Sequence, residues 1–591
     1  MTRRRFISLI VLLCFTFVII TLRLIYLQIF KHDFYKKLSR RNYIRLKRLY
    51  PPRGDILDRN GERIAYDIPK YSLFIDPEKI KDKEEFKRLS SYLKILFKIN
   101  LEEIVGNRER IDYAEPIKIK DNLTEQEVEK FYNNSYRLPG LFINTIPHRT
   151  YPYGKTVAHV VGYVGLPDDK DFKKYGDAIG PNSLVGKYGL EKTMNDVLLG
   201  EIGGEEVIVN AIGKPVRWNK VKNPVKGKSV VLTIDIRVQQ IIRDVLEESG
   251  HKVGAAIVMK AKTGEILGMY SMPSFDPNKV YENWNKLIKS KLKPFFNRAT
   301  MAKYPPASVV KVPLGFAFLE TKIANFTEEI TCLGKYRVGN RTFYCWQRHG
   351  HGKVNIIKAI KDSCDVFFYQ KGYEMGPSKI TYYLKKFCYG ENIPFELDLS
   401  RGFVPTPEWK LREKGELWYD GDTLNLSIGQ GFMLSNLMEQ TLMMMGIANN
   451  GVIYQPTLIR EIRDHKNRVI WKNKRKVMRA IYGKLENFAI VKRALREVVR
   501  NGTGRAAFSR IVDIAGKTGT AQVAAIRTRN EKNVPWRLRD HSWFVGFAPY
   551  RDPLFIIGVV IEHGGSGGSA AAPIARKILE RIYITGIKSE I

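Results

Sequence analysis

The chain has 591 residues, 44% of them hydrophobic, and a net charge of +37. This length predicts three or four domains, and the hydrophobic fraction is ample for buried cores. The positive charge suits an anionic partner, namely nucleic acid, an anionic membrane surface or an acidic polymer, while a merely solvating lysine-rich surface is an equal alternative. No nucleic-acid motif appears and the basic residues are spread along the chain, so no nucleic-acid partner is expected.

The first predicted element is a membrane anchor. Three arginines precede residues 6–30, which are apolar apart from three hydroxyl residues, one glutamine and Arg23. About 20 apolar residues span a bilayer, and no small-x-small cleavage site follows, so we predict an uncleaved single-pass anchor. The N-terminal arginines favour a cytoplasmic N-terminus. Basic residues between positions 31 and 41 weaken that argument.

A region without catalytic motifs follows the anchor. Turn residues at 58–61 lead into a predicted strand at 62–65. Residues 78–136 are rich in Lys and Glu with helical spacing of apolar residues, which predicts an inserted small α/β head. Residues 149–165 are predicted to be β-type, and residues 214–228 to be a polar linker.

The next predicted elements belong to a mixed α/β domain. A strand at 230–234, a helix at 235–248 and a hairpin within 254–270 are predicted before residue 300. A strand at 514–522 and two strands at 542–549 and 554–561 follow later. A helix at 572–584 closes the chain.

Ser308 and Lys311 carry the first chemical signal. Pro305 and Pro306 stop any preceding helix, and a new helix is predicted from Ala307. Ser308 and Lys311 then share one helix face. A serine hydroxyl needs a base to become nucleophilic, and a lysine with a lowered pKa can be that base. Alone, however, Ser-x-x-Lys occurs by chance in long chains.

Two later motifs change that interpretation. Ser363-Cys364-Asp365 and Lys517-Thr518-Gly519-Thr520 follow in order, and the set resembles the three motifs of penicillin-recognising serine enzymes. Residues 53–61, 149–165 and 186–191 resemble the non-catalytic region of class B penicillin-binding proteins. The Ser-x-Asp form, with Asp365 where most relatives have Asn, resembles the elongation-specific penicillin-binding protein 2 type.

The resemblance implies an α+β multidomain fold. It consists of a transmembrane helix at 1–30, a β-rich pedestal at 31–222 with the head at about 78–136, and a transpeptidase domain at 223–591. The last domain is expected to hold an antiparallel sheet flanked by helices plus an all-helical subdomain. The enzyme is expected in the cytoplasmic (inner) membrane, with the N-terminus in the cytoplasm and the catalytic domain on the outer, periplasmic side. Its expected membrane partner is a SEDS-family glycosyltransferase.

The resemblance also implies a D,D-transpeptidase mechanism, in which Ser308 attacks the carbonyl between the terminal D-alanines of a peptidoglycan stem peptide and Lys311 takes its proton. β-Lactams would acylate the same serine. No cofactor is expected for catalysis. The other implied roles are proton relay by Ser363, hydrogen bonding by Asp365, carboxylate binding by Lys517 and Thr518, an oxyanion hole from the N–H groups of Ser308 and Thr520, and room for an extended peptide at Gly519.

Three alternatives share parts of this pattern. A D,D-carboxypeptidase or β-lactamase would hydrolyse the acyl-enzyme, but no Glu-x-x-Leu-Asn pattern follows Ser363. A β-lactam-binding sensor would need a cytoplasmic signalling domain, and about five residues precede the anchor. A bifunctional class A enzyme would need a glycosyltransferase motif, which we do not find.

A cysteine–histidine cluster is predicted from spacing, and the resemblance also implies it, since some penicillin-binding proteins of the elongation type carry a metal site in this region. Cys332, Cys345, His351 and Cys364 follow the pattern Cys-x12-Cys-x5-His-x12-Cys, which can supply four ligands to a structural zinc. His351 is preferred to His349 because glycines flank it and let the backbone bend. A disulfide or free thiols are the alternatives.

Overall fold

The structure is a computed structural model that describes residues 3–33, 35–36, 44–76, 80, 82–105, 116–209, 215–523 and 534–587. Parts of the predicted head, of the predicted linker and of the basic segment after the anchor lie outside these residues.

The N-terminal segment is one continuous helical rod. An α-helix, Arg3–Ile25, passes into a π-helical turn, Tyr26–Phe30. An 18-residue stretch within Phe6–Phe30 has a mean hydropathy of 2.6, and the protein buries none of that stretch. A rod of this length and composition, packed against nothing in the described chain, fits a single-pass membrane anchor.

Two sheets build the pedestal. Their strands are β1 Ile44–Leu49, β2 Ile56–Leu57, β3 Arg63–Ile75, β4 Ile117–Lys120, β5 Leu141–Thr150, β8 Gly203–Val209, β9 Pro215–Lys222, β10 Ser229–Leu232, β18 Ile459–Arg463 and β19 Val469–Lys472. The smaller sheet has the order β1-β8-β9, and the larger one has the order β19-β18-β10-β2-β3-β4, with β5 also paired to β3. The larger sheet therefore joins early strands, β2 to β5, to the later strands β10, β18 and β19.

The linker prediction is wrong over β9. Pro215–Lys222 pairs antiparallel with β8 instead of running free. Its lysines and asparagine suggested a solvated connection, but Val216 and Trp218 alternate with polar residues, which is the period of a strand. The β-type prediction for residues 149–165 is wrong over Ala158–Val161, a one-turn helix whose four residues are all buried. Tertiary packing overrides the strand preference of its valines there.

The predicted α/β head is confirmed in its described part. Its helices are Lys83–Phe97, Leu101–Val105 and Glu125–Asn134. They cover β4 and the ends of β3 and β5 with an apolar core that includes Leu73, Leu93 and Phe131. The pedestal's remaining elements are the helices Asp169–Tyr175, Gly189–Thr193 and Asn195–Leu198, and the short pair β6 Val164–Gly165 and β7 Val185–Gly186.

A buried charge network holds the pedestal together. The Arg53 guanidinium donates to Glu191 Oε2 at 2.8 Å, and Arg149 Nε donates to Glu191 Oε1 at 2.6 Å. Arg149 also pairs with Asp67 at 3.1 Å. Burial alone would raise the pKa of Glu191, but the charges of Arg149 and Arg53 outweigh it and lower that pKa. Two cations and two anions therefore balance in this cluster, which we call the pedestal network.

The catalytic half is built on a five-stranded antiparallel sheet. Its order is β12-β11-β23-β22-β21, so β21 is an edge strand. The strands are β11 Gly254–Lys260, β12 Ile266–Met272, β21 Ala515–Ala521, β22 His541–Ala548 and β23 Phe555–Ile561. Helices Ile236–Glu248 and Ala571–Ile584 pack on one face, while Leu437–Ala448 lies against the other. The predicted hairpin, the late strands and the closing helix are confirmed.

Helices and short ribbons complete this half. The helices are Trp284–Lys289, Lys311–Glu320, Ile356–Lys361, Asp365–Met375, Pro377–Lys386, Pro407–Lys414, Asp420–Ser427 and Leu485–Asn501. The ribbons are β13 Ile330–Cys332 with β16 Gly352–Val354, β14 Lys335–Val338 with β15 Arg341–Tyr344, and β17 Val452–Tyr454 with β20 Val477–Ala480.

Candidate active site

A strained turn presents Ser308 at the start of its helix. A 3-10 turn, Ala307–Val310, runs into the helix Lys311–Glu320, and Ser308 is half-buried. Ala307 has φ of +52°, in the left-handed region that side chains disfavour. Its N–H donates to the Gly429 carbonyl at 2.9 Å. Backbone strain of this kind collects at functional sites.

Lys311 joins the first two motifs. Its side chain is completely buried, and Nζ donates to Asp365 Oδ1 at 2.6 Å, to the Ser363 carbonyl at 2.9 Å and to Ser363 Oγ at 3.2 Å. Ser363 itself has φ of +55°. Lys311 is 52 positions from Ser363 and 54 positions from Asp365 in the sequence, and the structure brings all three into one hydrogen-bonded group beside the Ser308 turn.

Trp346 completes this group, and no motif in the sequence marked it. Its backbone N–H donates to Asp365 Oδ2 at 2.9 Å. Its indole N–H donates to the carbonyls of Asp362 at 3.1 Å and Ser363 at 3.2 Å. Both Asp365 oxygens are therefore held, one by Lys311 and one by Trp346.

The third motif lies on the edge strand β21 against the Ser308 turn. A Cβ on Gly519 would lie 3.0 Å from Val309 Cγ2 and 3.2 Å from the Pro306 carbonyl oxygen. Because those distances are tighter than normal packing allows, a larger residue would push the strand away from the turn. Among the described strands β21 pairs only with β22, which leaves its other edge for an added extended peptide.

The polar groups of the third motif have defined partners. Lys517 is completely buried, and Nζ donates to the Thr518 carbonyl at 3.0 Å. Thr518 Oγ1 donates to Thr503 Oγ1 at 3.0 Å, and Thr520 Oγ1 accepts from the Gly567 N–H at 3.1 Å. No motif in the sequence marked Thr503.

The site holds two buried lysines but one buried carboxylate among the described residues. Burial, and then the charge of Lys311, hold the pKa of Lys517 well below its usual value of 10.5, against a smaller opposing effect of Asp365. Two buried lysines share one carboxylate, which we call the catalytic charge group. An anionic ligand group would restore the balance.

The predicted metal-ligand set also comes together. The ligand atoms of Cys332, Cys345, His351 and Cys364 all lie within 4.8 Å of one another. His351 Nδ1 is 3.7 Å from Cys332 Sγ and 3.6 Å from Cys345 Sγ. Sulfurs on a tetrahedral zinc are about 3.8 Å apart for bonds of about 2.3 Å, so the donor set fits zinc after a small inward movement.

The local chemistry suits a metal as well. A hydrogen bond from the Cys364 thiol lowers the pKa of Cys345 to about 3, and the same bond raises the pKa of Cys364. Thiolate is the form that binds metals. The glycine beside His351 is forced by packing, because a Cβ on Gly350 would lie 2.1 Å from the Cys332 carbonyl oxygen. His349 does not belong to the four-residue set.

Two family models match the chain. The penicillin-binding protein dimerisation domain matches residues 48–232, and the penicillin-binding protein transpeptidase domain matches residues 254–580. The peptidoglycan D,D-transpeptidase MrdA of Haemophilus influenzae is 33% identical, covering 98% of this chain and 91% of that protein. The protein of the same name from Escherichia coli K12 is 32% identical, covering 98% and 94%.

Solved structures agree with these matches. The complex between the penicillin-binding protein PBP2 and MreC from Helicobacter pylori matches with a TM-score of 0.80 and 28% identity, over 92% of this chain and 100% of that chain. Pseudomonas aeruginosa PBP2 in complex with WCK 5153 matches with a TM-score of 0.67 and 26% identity, over 90% and 96%. A peptidoglycan synthase complex that coordinates polymerization and crosslinking matches with a TM-score of 0.70 and 26% identity, over 98% of each chain.

Proposed function

The chain belongs to the penicillin-binding proteins as a peptidoglycan D,D-transpeptidase of the penicillin-binding protein 2 type, and we propose that Ser308 is its acylated nucleophile. The observation that carries this proposal is the contact of Lys311 with both residues of the second motif, at 2.6 to 3.2 Å, one helical turn from Ser308. A buried amine among hydrogen-bond acceptors is suited to proton transfer.

Acylation follows from these positions. Lys311, as the neutral amine, takes the proton of Ser308, whose Oγ attacks the carbonyl between the terminal D-alanines of a stem peptide. The N–H groups of Ser308 and Thr520 stabilise the oxyanion. Ser363 passes a proton to the leaving amine, while Asp365 keeps Lys311 and Ser363 in position. D-Alanine leaves, and an amine of a neighbouring stem takes the acyl group to form the crosslink.

Substrate binding follows from charge and strand geometry. The substrate carboxylate binds Lys517 and Thr518, where it adds a second acidic group to a site with two lysines and one carboxylate. The extended stem peptide adds to the free edge of β21 beside Gly519. A β-lactam presents the same carboxylate and acyl carbonyl and therefore acylates Ser308.

A transfer assay with a donor pentapeptide and an amine acceptor tests this proposal. We expect one D-alanine released per amide formed, and neither product from Ser308→Ala. Release of D-alanine without amide would instead assign a carboxypeptidase, and stable acylation without turnover would assign a β-lactam sensor.

The proposal extends to domains, membrane orientation and partner. We assign residues 1–30 to the anchor, 31–222 to the pedestal and 223–591 to the transpeptidase domain. The N-terminus is cytoplasmic and the catalytic domain lies on the outer side of the inner membrane, where stem peptides are crosslinked during cell elongation. The partner is a SEDS-family glycosyltransferase, because a similar chain occurs in a complex that coordinates polymerization and crosslinking.

We also propose a structural zinc on Cys332, Cys345, His351 and Cys364. Four protein ligands leave no open position, so the metal supplies stability rather than chemistry. Elemental analysis should find about one zinc per chain, because the four residues supply one complete tetrahedral set. Cys345→Ser should lose both the zinc and stability. Cys388→Ser is the matched control, because Cys388 is equally buried but lies outside the set.

A further inference from the structure

A group of large apolar side chains is exposed where the pedestal meets the catalytic half. It consists of Tyr281, Trp284, Ile288 and Phe296, which we call the junction platform, and all four side chains are exposed. The rings of Tyr281 and Trp284 are nearly parallel, with an interplanar angle of 17° and centroids 6.4 Å apart. Contiguous exposed apolar patches often mark interaction sites.

Two rings of the junction platform, Tyr281 and Trp284, are fixed by contacts with buried or partly buried neighbours. Tyr281 donates its hydroxyl proton to the Val164 carbonyl at 3.2 Å, and the ring of Trp284 packs on Phe295 at 5.6 Å. Phe295 in turn packs on Phe275 at 4.8 Å, and its carbonyl accepts from the Tyr188 hydroxyl at 2.9 Å. Rings fixed in this way lose little conformational entropy when a ligand binds.

Lysines surround these rings. Residues 279–293 contain five lysines and one glutamate, whereas the whole chain carries about one net positive charge per 16 residues. All five lysines are exposed, and none pairs with a carboxylate in the described part of the chain. They are Lys279, Lys286, Lys289, Lys291 and Lys293. The patch therefore combines apolar rings with uncompensated positive charge.

This combination indicates the ligand. Aromatic ring faces carry partial negative charge and attract the C–H groups of sugar rings, while free lysines attract carboxylates. A protein partner fits less well, because lysine is depleted in the cores of protein interfaces. A polymer of hexopyranose rings that bears carboxylates uses both features.

The patch is also tied to the Ser308 segment. Arg298 Nη2 donates to the Leu292 carbonyl at 2.8 Å, and its Nε donates to Glu562 at 2.7 Å. Glu562 directly follows strand β23 of the catalytic sheet. Arg298, ten residues before Ser308 along the chain, thus links the platform segment to the sheet that carries the third motif.

We propose that the junction platform binds the glycan strand of peptidoglycan, that its five lysines bind the carboxylates of the attached stem peptides, and that together they hold the strand near the active site. This rests on the proposed function only in the identity of the polymer. Tethering a strand raises the effective concentration of its stem peptides. It should therefore lower the KM for polymeric substrate without changing acylation by a small β-lactam.

The test measures binding of purified uncrosslinked peptidoglycan strands to full-length protein in detergent, in a Ser308→Ala background so that no turnover is needed. The variants are Trp284→Ala and the double substitution Lys286→Glu with Lys289→Glu. The matched controls are Trp471→Ala and Lys472→Glu with Lys474→Glu, since Trp471 is 45% exposed and Trp284 is 40% exposed.

We expect each platform variant to weaken strand binding about tenfold, and the wild-type affinity to fall with added salt. The control variants should bind like wild type, and the platform variants should still be acylated at wild-type rate when Ser308 is present. If the wild-type protein were not acylated by a β-lactam at all, the proposed function would be wrong. The difference in strand binding between platform and control variants would still hold.

Two outcomes would overturn the platform proposal. One is strand binding that is equal in platform and control variants. The other is loss of binding to phosphatidylglycerol vesicles in the platform variants while strand binding is unchanged, which would assign the patch to an anionic lipid surface.

Discussion

Two buried charge clusters in this chain are built from similar groups but balanced differently. In the pedestal network, two arginines face two carboxylates, and each ion pair is 3.1 Å or shorter. In the catalytic charge group, Lys311 and Lys517 share one carboxylate, Asp365, among the residues that the structure describes. The first cluster has equal numbers of acidic and basic groups, while the second has two basic groups and one acidic group.

The difference separates stability from chemistry. A complete buried network gains nothing from a ligand, and it costs stability when one member is removed. An incomplete cluster is costly in the free protein and is relieved when an anion binds, which is the property that a substrate site needs. We therefore expect substitutions in the pedestal network to change stability and substitutions in the catalytic charge group to change acylation.

The largest effect is expected from Lys311→Met. Removing the base should reduce the rate of β-lactam acylation by about 10²- to 10⁴-fold, because the Ser308 proton loses its acceptor. Stopped-flow acylation measures this rate. Lys371→Met is the control, since Lys371 is also buried but pairs with Glu328 and Glu374 away from the site. An equal loss in both variants would show that any buried lysine is needed only for folding.

Glu191→Gln should break the pedestal network without touching the catalytic chemistry. We expect the free energy of unfolding to fall by about 3–5 kcal/mol, because two buried arginines lose their shared anion. Thermal unfolding measures the loss. Glu248→Gln is the control, since Glu248 pairs with Arg581 at the surface and should matter little. Folded Glu191→Gln protein should acylate normally.

The same network makes stability depend on pH. The pKa of Glu191 is lowered from its usual 4.5, so the folded state binds fewer protons there than the unfolded state. Its contribution is complete above about pH 4.5 and is lost as the pH falls below that value. Glu191→Gln should therefore flatten the acid side of the stability profile. An unchanged acid profile would contradict the assignment.

Lys517→Arg sharpens the comparison through pH. Because the pKa of Lys517 lies well below 10.5, its charge is lost as the pH rises through that lowered value, and carboxylate binding weakens with it. An arginine stays charged, so the variant should lose this alkaline decline in β-lactam affinity. The measurement is acylation at subsaturating β-lactam across the alkaline range. The same decline in both proteins would assign it to another group.

Trp346→Phe should give the smallest effect. It removes the indole donor to the Asp362 and Ser363 carbonyls but keeps the backbone donor to Asp365. One hydrogen bond is worth about 0.5–1.5 kcal/mol, so acylation should slow by about two- to tenfold. Trp418→Phe is the control, because its indole donates to Thr423 outside the site. A drop of a thousandfold would mean that Trp346 contacts substrate directly.

The sequence predicted the residues of the site because they fall in short ordered motifs. Ser308 and Lys311 are one helical turn apart, and spacing grouped Cys332, Cys345, His351 and Cys364. The contacts of Trp346 could not be predicted, since they join residues up to 19 positions apart through a loop without a motif. The only signal was its place directly after Cys345.

The pedestal was predicted less completely for a related reason. Its network joins Arg53 to Glu191 across 138 residues, and no local pattern records such a pairing. The helix Ala158–Val161 is set by tertiary packing rather than by local preference. The strand Pro215–Lys222 has a local alternation of apolar and polar residues, which its lysines and asparagine obscured. Short sequence motifs therefore predict catalytic residues better than they predict contacts between residues that are far apart in the chain.

Intact mass after incubation with a labelled penicillin tests the central claim most directly. That claim is that Ser308 is the nucleophile and that the catalytic charge group activates it. Wild type and Ser363→Ala should be compared with Ser308→Ala, with folding checked by thermal unfolding. We predict one adduct per chain on wild type, slower formation of the same adduct on Ser363→Ala, and none on folded Ser308→Ala. A stoichiometric adduct on Ser308→Ala would contradict the account.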